Sequence, residues 1–141
     1  MINLRKVKSS DLNMLFLWRN NPEIVFLSAS QKTVTLDEHS QWLNASINDV
    51  NKIIYIIEKD QVALGQLRFD RVKEKSNCEV SIYLAPDFQS KGIGSIALTQ
   101  GIKEIKKQWP DQLQIDAWVR SENLSSQFFF KKNGFKKDEV K

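Results

Sequence analysis

Thiol and imidazole are nearly missing from this chain: of 141 residues, one is cysteine and one is histidine. With Cys78 alone no internal disulfide can form, and the sequence reads as a protein of a reducing compartment. Cys78 and His39 cannot supply a zinc site of several Cys or His ligands, and no metal is expected. A Ser-His-Asp triad would have to use His39, which has no flanking signature for that role. Long apolar runs are missing as well. The start, Met-Ile-Asn-Leu-Arg-Lys, lacks the apolar core of a signal peptide, and no apolar stretch reaches the roughly 18 residues of a membrane span. These features predict a cytoplasmic protein with no membrane partner. Chemistry is left to carboxylates, hydroxyls and backbone amides.

A large charge of one sign is also lacking. Lys and Arg number 21 against 17 Asp and Glu, a net charge of +4. The basic residues are scattered, apart from Lys131, Lys132, Lys136 and Lys137. Such mild basicity suits anionic small ligands. The aromatic-plus-basic patch of a nucleic-acid binder is not evident, and no nucleic-acid partner is expected. Hydrophobic content of 41% and charged content of 27% describe an ordinary globular protein. The length suits one domain, residues 1–141, large enough for a layered core.

Ile2, Leu4 and Val7 carry the rough alternation of a first strand. Ser9-Ser10-Asp11 offers N-caps to a helix with Leu12, Leu15, Phe16 and Trp18 on its apolar face. Asn21-Pro22 restarts the chain as N-cap and first helical residue. Thr35-x-x-Glu38 fits a capping box opening another helix. Ile53–Ile57 is a β-branched and aromatic run, and Val62–Val72 its hairpin partner, with Gly65 a bulge or close-approach point. After a charged turn at Lys73–Asn77, Cys78–Leu84 is the third strand of this meander. Ile93–Gln108 is helical, with Ile96, Ala97, Ile102 and Ile105 as its core-facing stripe. Ile115–Val119 is a strand and Leu124–Asn133 a helix capped by Gly134. A short last strand follows from Phe135. The order β-α-α-β-β-β-α-β-α-β predicts an α+β fold, a mixed and mostly antiparallel sheet flanked by helices.

The most informative stretch is Glu79–Ser95: a strand, a break at Pro86, a polar glycine-containing loop, and the start of the long helix. Glycine permits close backbone approach, and a helix N-terminus offers unpaired N–H groups to an anion. With the charge of Lys91, a pyrophosphate should sit on Gln89, Ser90, Lys91, Gly92, Ile93, Gly94 and Ser95. Gly92-Ile-Gly94-Ser-Ile-Ala97 formally matches a dinucleotide fingerprint. However, Pro86 and the polar Asp87–Lys91 separate strand from glycines, and too little chain follows for a doubly wound sheet.

Gln89-Ser-Lys-Gly-Ile-Gly94 resembles the Gln/Arg-x-x-Gly-x-Gly/Ala motif of the GNAT superfamily of acetyl-CoA-dependent N-acetyltransferases. Asn123-Leu-Ser-Ser-Gln-Phe-Phe-Phe-Lys-Lys-Asn-Gly134-Phe135 is similar to the family's second signature, Asn-x-x-(Ala/Ser)-x-x-x-(Tyr/Phe)-x-x-x-Gly-Phe. The order of elements is also the family's. The resemblance implies acetyl-CoA in a gap between two splayed strands, here Cys78–Leu84 and Ile115–Val119. Backbone groups around Tyr83 and Leu84 would pair with the pantetheine, and one N–H there would polarise the thioester carbonyl. Asn123 would hydrogen-bond the cofactor arm. Glu79 stands where several members carry a glutamate base. Where members often carry a tyrosine acid, this chain has Phe130, which would pack on the cofactor and leave Ser126 or water to protonate the thiolate.

The stretches Trp18-Arg-Asn-Asn-Pro-Glu23, Glu38-His-x-x-Trp42 and Gly65-Gln-Leu-Arg68-Phe-Asp70 resemble GNAT members that acetylate nucleotide-linked amino sugars. That branch would place the primary amine of a small acceptor among Trp18, Arg19, Asn20, His39, Trp42 and Arg68. The tryptophans would stack on a sugar or base and an arginine would hold a phosphate, unless the tryptophans are helix–sheet core. Two alternatives remain, an acetyltransferase of protein N-termini and a non-catalytic CoA-binding module. A homodimer would complete a sheet edge.

Overall fold

A computed structural model describes residues 1–72, 77–89, 91–111 and 114–137 of the chain. Five strands form one sheet in sequence order: β1 (Ile2–Lys6), β2 (Lys52–Lys59), β3 (Val62–Arg71), β4 (Asn77–Leu84) and β5 (Gln114–Ala117). The first four pair antiparallel and β5 runs parallel to β4, the mixed sheet that the sequence implies. The β2–β3 hairpin turns on Asp60 and Gln61 at φ 52° and 67°, the primed geometry that matches strand twist. Its register shifts by one residue between Ile57 and Glu58, so the irregularity falls beside Gly65.

Between β1 and β2 lie α1 (Leu12–Arg19), α2 (Pro22–Leu27) and α3 (Leu36–Ile47). The cap signals act as their chemistry demands. Asn21 Oδ1 accepts from Glu23 N at 3.0 Å, and Thr35 and Glu38 exchange both bonds of a capping box at 3.1 and 2.8 Å. Asp11 behaves differently. Instead of capping α1 it accepts from Lys8 N and from both terminal nitrogens of Arg5, at 2.8 to 2.9 Å. The Arg5 guanidinium therefore holds the Asp11 carboxyl below the usual carboxylate range and welds β1 to the start of α1. The charged turn expected at Lys73–Asn77 lies, except for Asn77, outside the described residues.

Strand alternation gives the sheet two apolar faces. Leu15, Leu43 and Ile56 close the core beneath α1 and α3. On the other face Leu67, Phe69, Cys78 and Val80 meet α4 (Ile93–Gln108) and α5 (Leu124–Lys132). The buried stripe of α4 is Gly94, Ala97, Leu98, Gly101 and Ile105, while Ile96 turns outward. The sequence expectation named Ile96 and missed the glycines: Gly101 lets α4 settle closely on Leu67 and Phe69, and Gly94 makes room for Phe129. The sole thiol, Cys78, is fully buried here, and burial pushes it up to about 11. Gly134 terminates α5 at φ 94°. The last strand expected from Phe135 is not formed over 135–137, and 138–141 lie outside the described residues.

Asp11→Asn should lower unfolding free energy at neutral pH by about 1–3 kcal/mol, the usual worth of charge-assisted hydrogen bonds. Because the folded-state pKa is depressed, this contribution is present above the ordinary aspartate pKa of about 3.9 and disappears as pH falls through the folded value. Denaturant titrations at neutral pH and well below pH 4 should show the wild-type advantage and then its loss.

Candidate active site

β4 and β5 stay paired only from Asn77–Gln114 to Val80–Ala117. Beyond that point β4 continues to Leu84 while the other chain leaves the sheet. Parity decides which backbone groups this exposes. Ala85 N donates to Leu64 O at 2.8 Å and Val72 N to Asn77 O at 3.1 Å. Ala85, Tyr83, Ser81 and Glu79 therefore direct their backbone groups at β3, and Leu84 and Ile82 direct theirs into the gap. Among the described residues neither amide N–H in the gap has a partner, and the Leu84 carbonyl accepts from Gln89 Nε2 at 3.1 Å. Sequence reading paired Tyr83 with Leu84 here. The residue it missed is Ile82, and the signal was the alternation counted from Gly65.

Gly65 makes the close approach possible. A Cβ there would run into the Tyr83 carbonyl oxygen and stand 2.9 Å from Leu84 Cα. Just past the gap, α4 begins at Gly92 with φ 78°, and no side chain caps its first-turn amides. These are free donors at the positive end of a helix dipole. Ile93 packs into the core, Lys91 is exposed, and Ser95 Oγ accepts from Asn133 Nδ2 at 3.1 Å, tying the ends of α4 and α5 together. Ser90 lies outside the described residues.

The gap opens into a cleft of about 950 Å³. Glu79, Tyr83, Leu84, Gln89, Gly94, Asn123, Ser126 and Phe130 line it, as do Arg19, His39, Trp42 and Arg68. Asn123 caps α5 through Oδ1, which accepts from Ser126 N at 3.1 Å, leaving its amide nitrogen for a ligand. Phe130 packs edge-on against Phe129 and Phe135. Tyr83 offers the cleft its ring. Its hydroxyl donates to Gln66 Oε1 at 3.3 Å, and burial pushes the phenol well above its ordinary value, so it stays protonated.

Three carboxylates cross the sheet in one row. Asp70 faces Glu79 across β3–β4, and Glu79 faces Asp116 across β4–β5. Asp70 is held by Arg68 Nε at 2.9 Å and Lys52 Nζ at 3.6 Å, and Asp116 by the amides of Asn77 and Gln114. The Glu79 carboxylate stands exposed between them and, among the described residues, has no hydrogen-bond or ion-pair partner. The row concentrates negative charge where an ammonium group would settle. Among the described residues no cluster of His, Cys, Asp or Glu could hold a metal ion, and no helix is long and apolar enough to cross a membrane.

The acceptor-side residues divide into wall and scaffold. Trp18 packs with the α1–α3 core, edge-on to Tyr83 at 6.1 Å. Asn20 bonds both backbone groups of Val34, and Arg19 holds Lys32 O and Ser30 Oγ, so both pin the α2–α3 loop. Trp42 carries His39 stacked at 5.0 Å and the cations of Lys52 and Arg68 at 5.5 and 5.6 Å. These three groups surround the indole that the sequence reading offered to an acceptor, and it still lines the cleft. His39 is buried, and burial followed by Arg19 holds it below its ordinary value, neutral near pH 7. Sequence reading missed Asp70, Ser81, Trp118 and Arg120 on this wall.

A sequence profile described as "Acetyltransferase (GNAT) domain" matches residues 2–136. The chain belongs to the GNAT acetyltransferase family, and its class is that of acetyl-CoA-dependent N-acetyltransferases. It is similar to the Campylobacter jejuni protein named Acetyltransferase PseH, 28% identical over 136 residues, covering 94% of this chain and 82% of that one. Among solved structures it resembles Vibrio cholerae spermidine N-acetyltransferase in complex with CoA and spermine, at TM-score 0.86 and 21% identity, over 98% and 82% of the two chains. It also resembles RimL, a ribosomal L7/L12 alpha-N-protein acetyltransferase bound to CoA in a CoA–cysteine disulfide, at TM-score 0.82 and 18% identity, over 95% and 79%.

Gly65→Ala should force β3 and β4 apart at the mouth of the gap. Overpacking against backbone should cost about 1–3 kcal/mol in thermal or denaturant unfolding. The folded fraction should bind acetyl-CoA more weakly in calorimetric titration.

Proposed function

We propose that the protein transfers the acetyl group of acetyl-CoA to the primary amine of a nucleotide-linked amino sugar, by direct attack in a ternary complex. The observation that carries the chemistry is the opened β4 edge, with the free Leu84 amide in the gap and the unpartnered Glu79 in the cleft beside it. The amino-sugar acceptor is supported by the Trp18–Glu23, Glu38–Trp42 and Gly65–Asp70 stretches and by similarity to PseH over 94% of the chain.

The residues fit the cofactor. Ile82 and Leu84 supply strand-like pairing to an extended amide-bearing arm, and the uncapped start of α4 at Gly92–Ser95, with Gln89 and Lys91, receives a pyrophosphate. Asn123 Nδ2 and the ring of Phe130 flank the arm. When bound, acetyl-CoA supplies the acetyl group as an activated thioester.

Glu79 draws the acceptor's ammonium into the cleft and removes its proton, directly or through one water, freeing the lone pair for attack. The Leu84 N–H hydrogen-bonds the carbonyl oxygen as negative charge gathers on it, a contribution that strengthens in the transition state. The Ser126 hydroxyl, without a partner among the described residues, stands at the cleft to return a proton to the departing sulfur. The neutral His39 and protonated Tyr83 add no charge to this exchange.

A thiol-release assay over a panel of UDP-amino sugars, free amino sugars, polyamines and N-terminal peptides should give the highest kcat/KM with a nucleotide-linked amino sugar. Preference for the peptides would replace this acceptor reading with the N-terminal one. Glu79→Gln should lower kcat/KM for the amine by about 10²–10⁴ while acetyl-CoA affinity holds. An unchanged kcat across pH would remove the base role.

A further inference from the structure

We propose that Trp118 is the platform on which the acceptor's ring stacks, with Arg68 holding the acceptor's anionic group across the same face of the sheet. The inference rests on the amino-sugar reading above and assigns the residues that would select such an acceptor.

Trp118 differs from the other three tryptophans. Trp18 meets Tyr83, Trp42 carries His39 and two cations, and Trp109 lies under Arg71 at 5.0 Å. Trp118 has no ring or cation partner among the described residues, is 60% exposed, and lines the cleft. A bare indole on a cavity wall offers a large flat face to a sugar or base.

Its direction follows from register. Ile115, Ala117 and Val119 pack into the core, so alternation turns Trp118 to the opposite face, which carries Glu79, Ser81 and Tyr83. Ser81 pairs with Arg68 and follows the final Val80–Ala117 pair on β4, and Trp118 follows it on the other side, where the two segments part. Arg68, Ser81 and Trp118 all line the cleft beside the row that holds Glu79.

Of the cleft's arginines, Arg19 has both terminal nitrogens on the α2–α3 loop, and Arg120 is anchored through Nε on Glu122 and Nη1 on Ser28 O and Ala29 O. Arg68 uses only Nε, on Asp70, and leaves both terminal nitrogens without a partner among the described residues. That free fork matches a phosphate oxygen pair. Platform, fork and base together select an amine that carries a ring and an anionic group, and they disfavour a linear polyamine.

The test is intrinsic fluorescence titration with UDP-glucosamine, glucosamine 1-phosphate and glucosamine, together with acetyl-transfer kinetics. UDP-glucosamine should quench and blue-shift wild-type emission. Trp118→Phe should abolish the shift and keep affinity, and Trp118→Ala should weaken affinity about tenfold or more, the scale of one lost stacking contact. Acetyl-CoA affinity and Tm should hold in both. Arg68→Gln should weaken the two phosphorylated probes and leave glucosamine unchanged. If wild type acetylates UDP-glucosamine and Trp118→Ala does so with unchanged KM, the platform is overturned and the function stands. If UDP-glucosamine quenches Trp118 without being acetylated, the platform stands and the function reading falls. No response of the wild type to either phosphorylated probe overturns the inference.

Discussion

Parallel pairing of β4 and β5 stops after Val80–Ala117, and most of what the molecule can do follows from that separation. A continued ladder would have consumed the amides of Ile82 and Leu84, closed the cleft, and tucked Trp118 against its neighbour. The parting strands leave polar backbone groups facing open space, which is costly unless water or a ligand pairs them. Antiparallel pairing with β3 on the other side keeps β4 straight, and Gly65 permits the tight seam there. One side of the strand is therefore rigid and the other is available.

Charge is handled in the same manner, by fixing partners around one free group. Asp70 and Asp116 flank Glu79 on adjacent strands and each is tied to donors of its own. Lys52, Arg68 and Trp42 are bound into the anchoring of Asp70, so the acidic row coexists with a cationic edge a few ångströms away. A neutral chain of contacts would not separate an amine-binding end from an anion-binding end.

Short-range chemistry was legible in the sequence. Thr35 with Glu38, Asn21 with Pro22, and Gly134 are signals completed within a few residues, and each appears where its pattern stands. The glycines before α4 and the Asn123 helix were readable for the same reason. What escaped depended on contacts distant in sequence. Asp11 looks like a cap until Arg5 folds back on it. Ile82 and Tyr83 exchange roles because β3 register, absent from local pattern, decides which amide faces the gap. Trp42 meets Lys52 and Arg68 only because β2 and β3 bring those cations to α3. Trp118 sat inside an expected strand, Ile115–Val119, that the structure ends at Ala117.

The placement of Cys78 has a redox consequence. Every acetyl transfer from acetyl-CoA liberates a free thiol beside the protein, and RimL has been captured with CoA joined to one of its cysteines. Here the sole sulfhydryl sits in the core beneath the sheet, fully covered and shifted up to about 11, so its thiolate is scarce and unreachable. The folded protein thus offers released CoA no accessible thiol among the described residues with which to form a mixed disulfide.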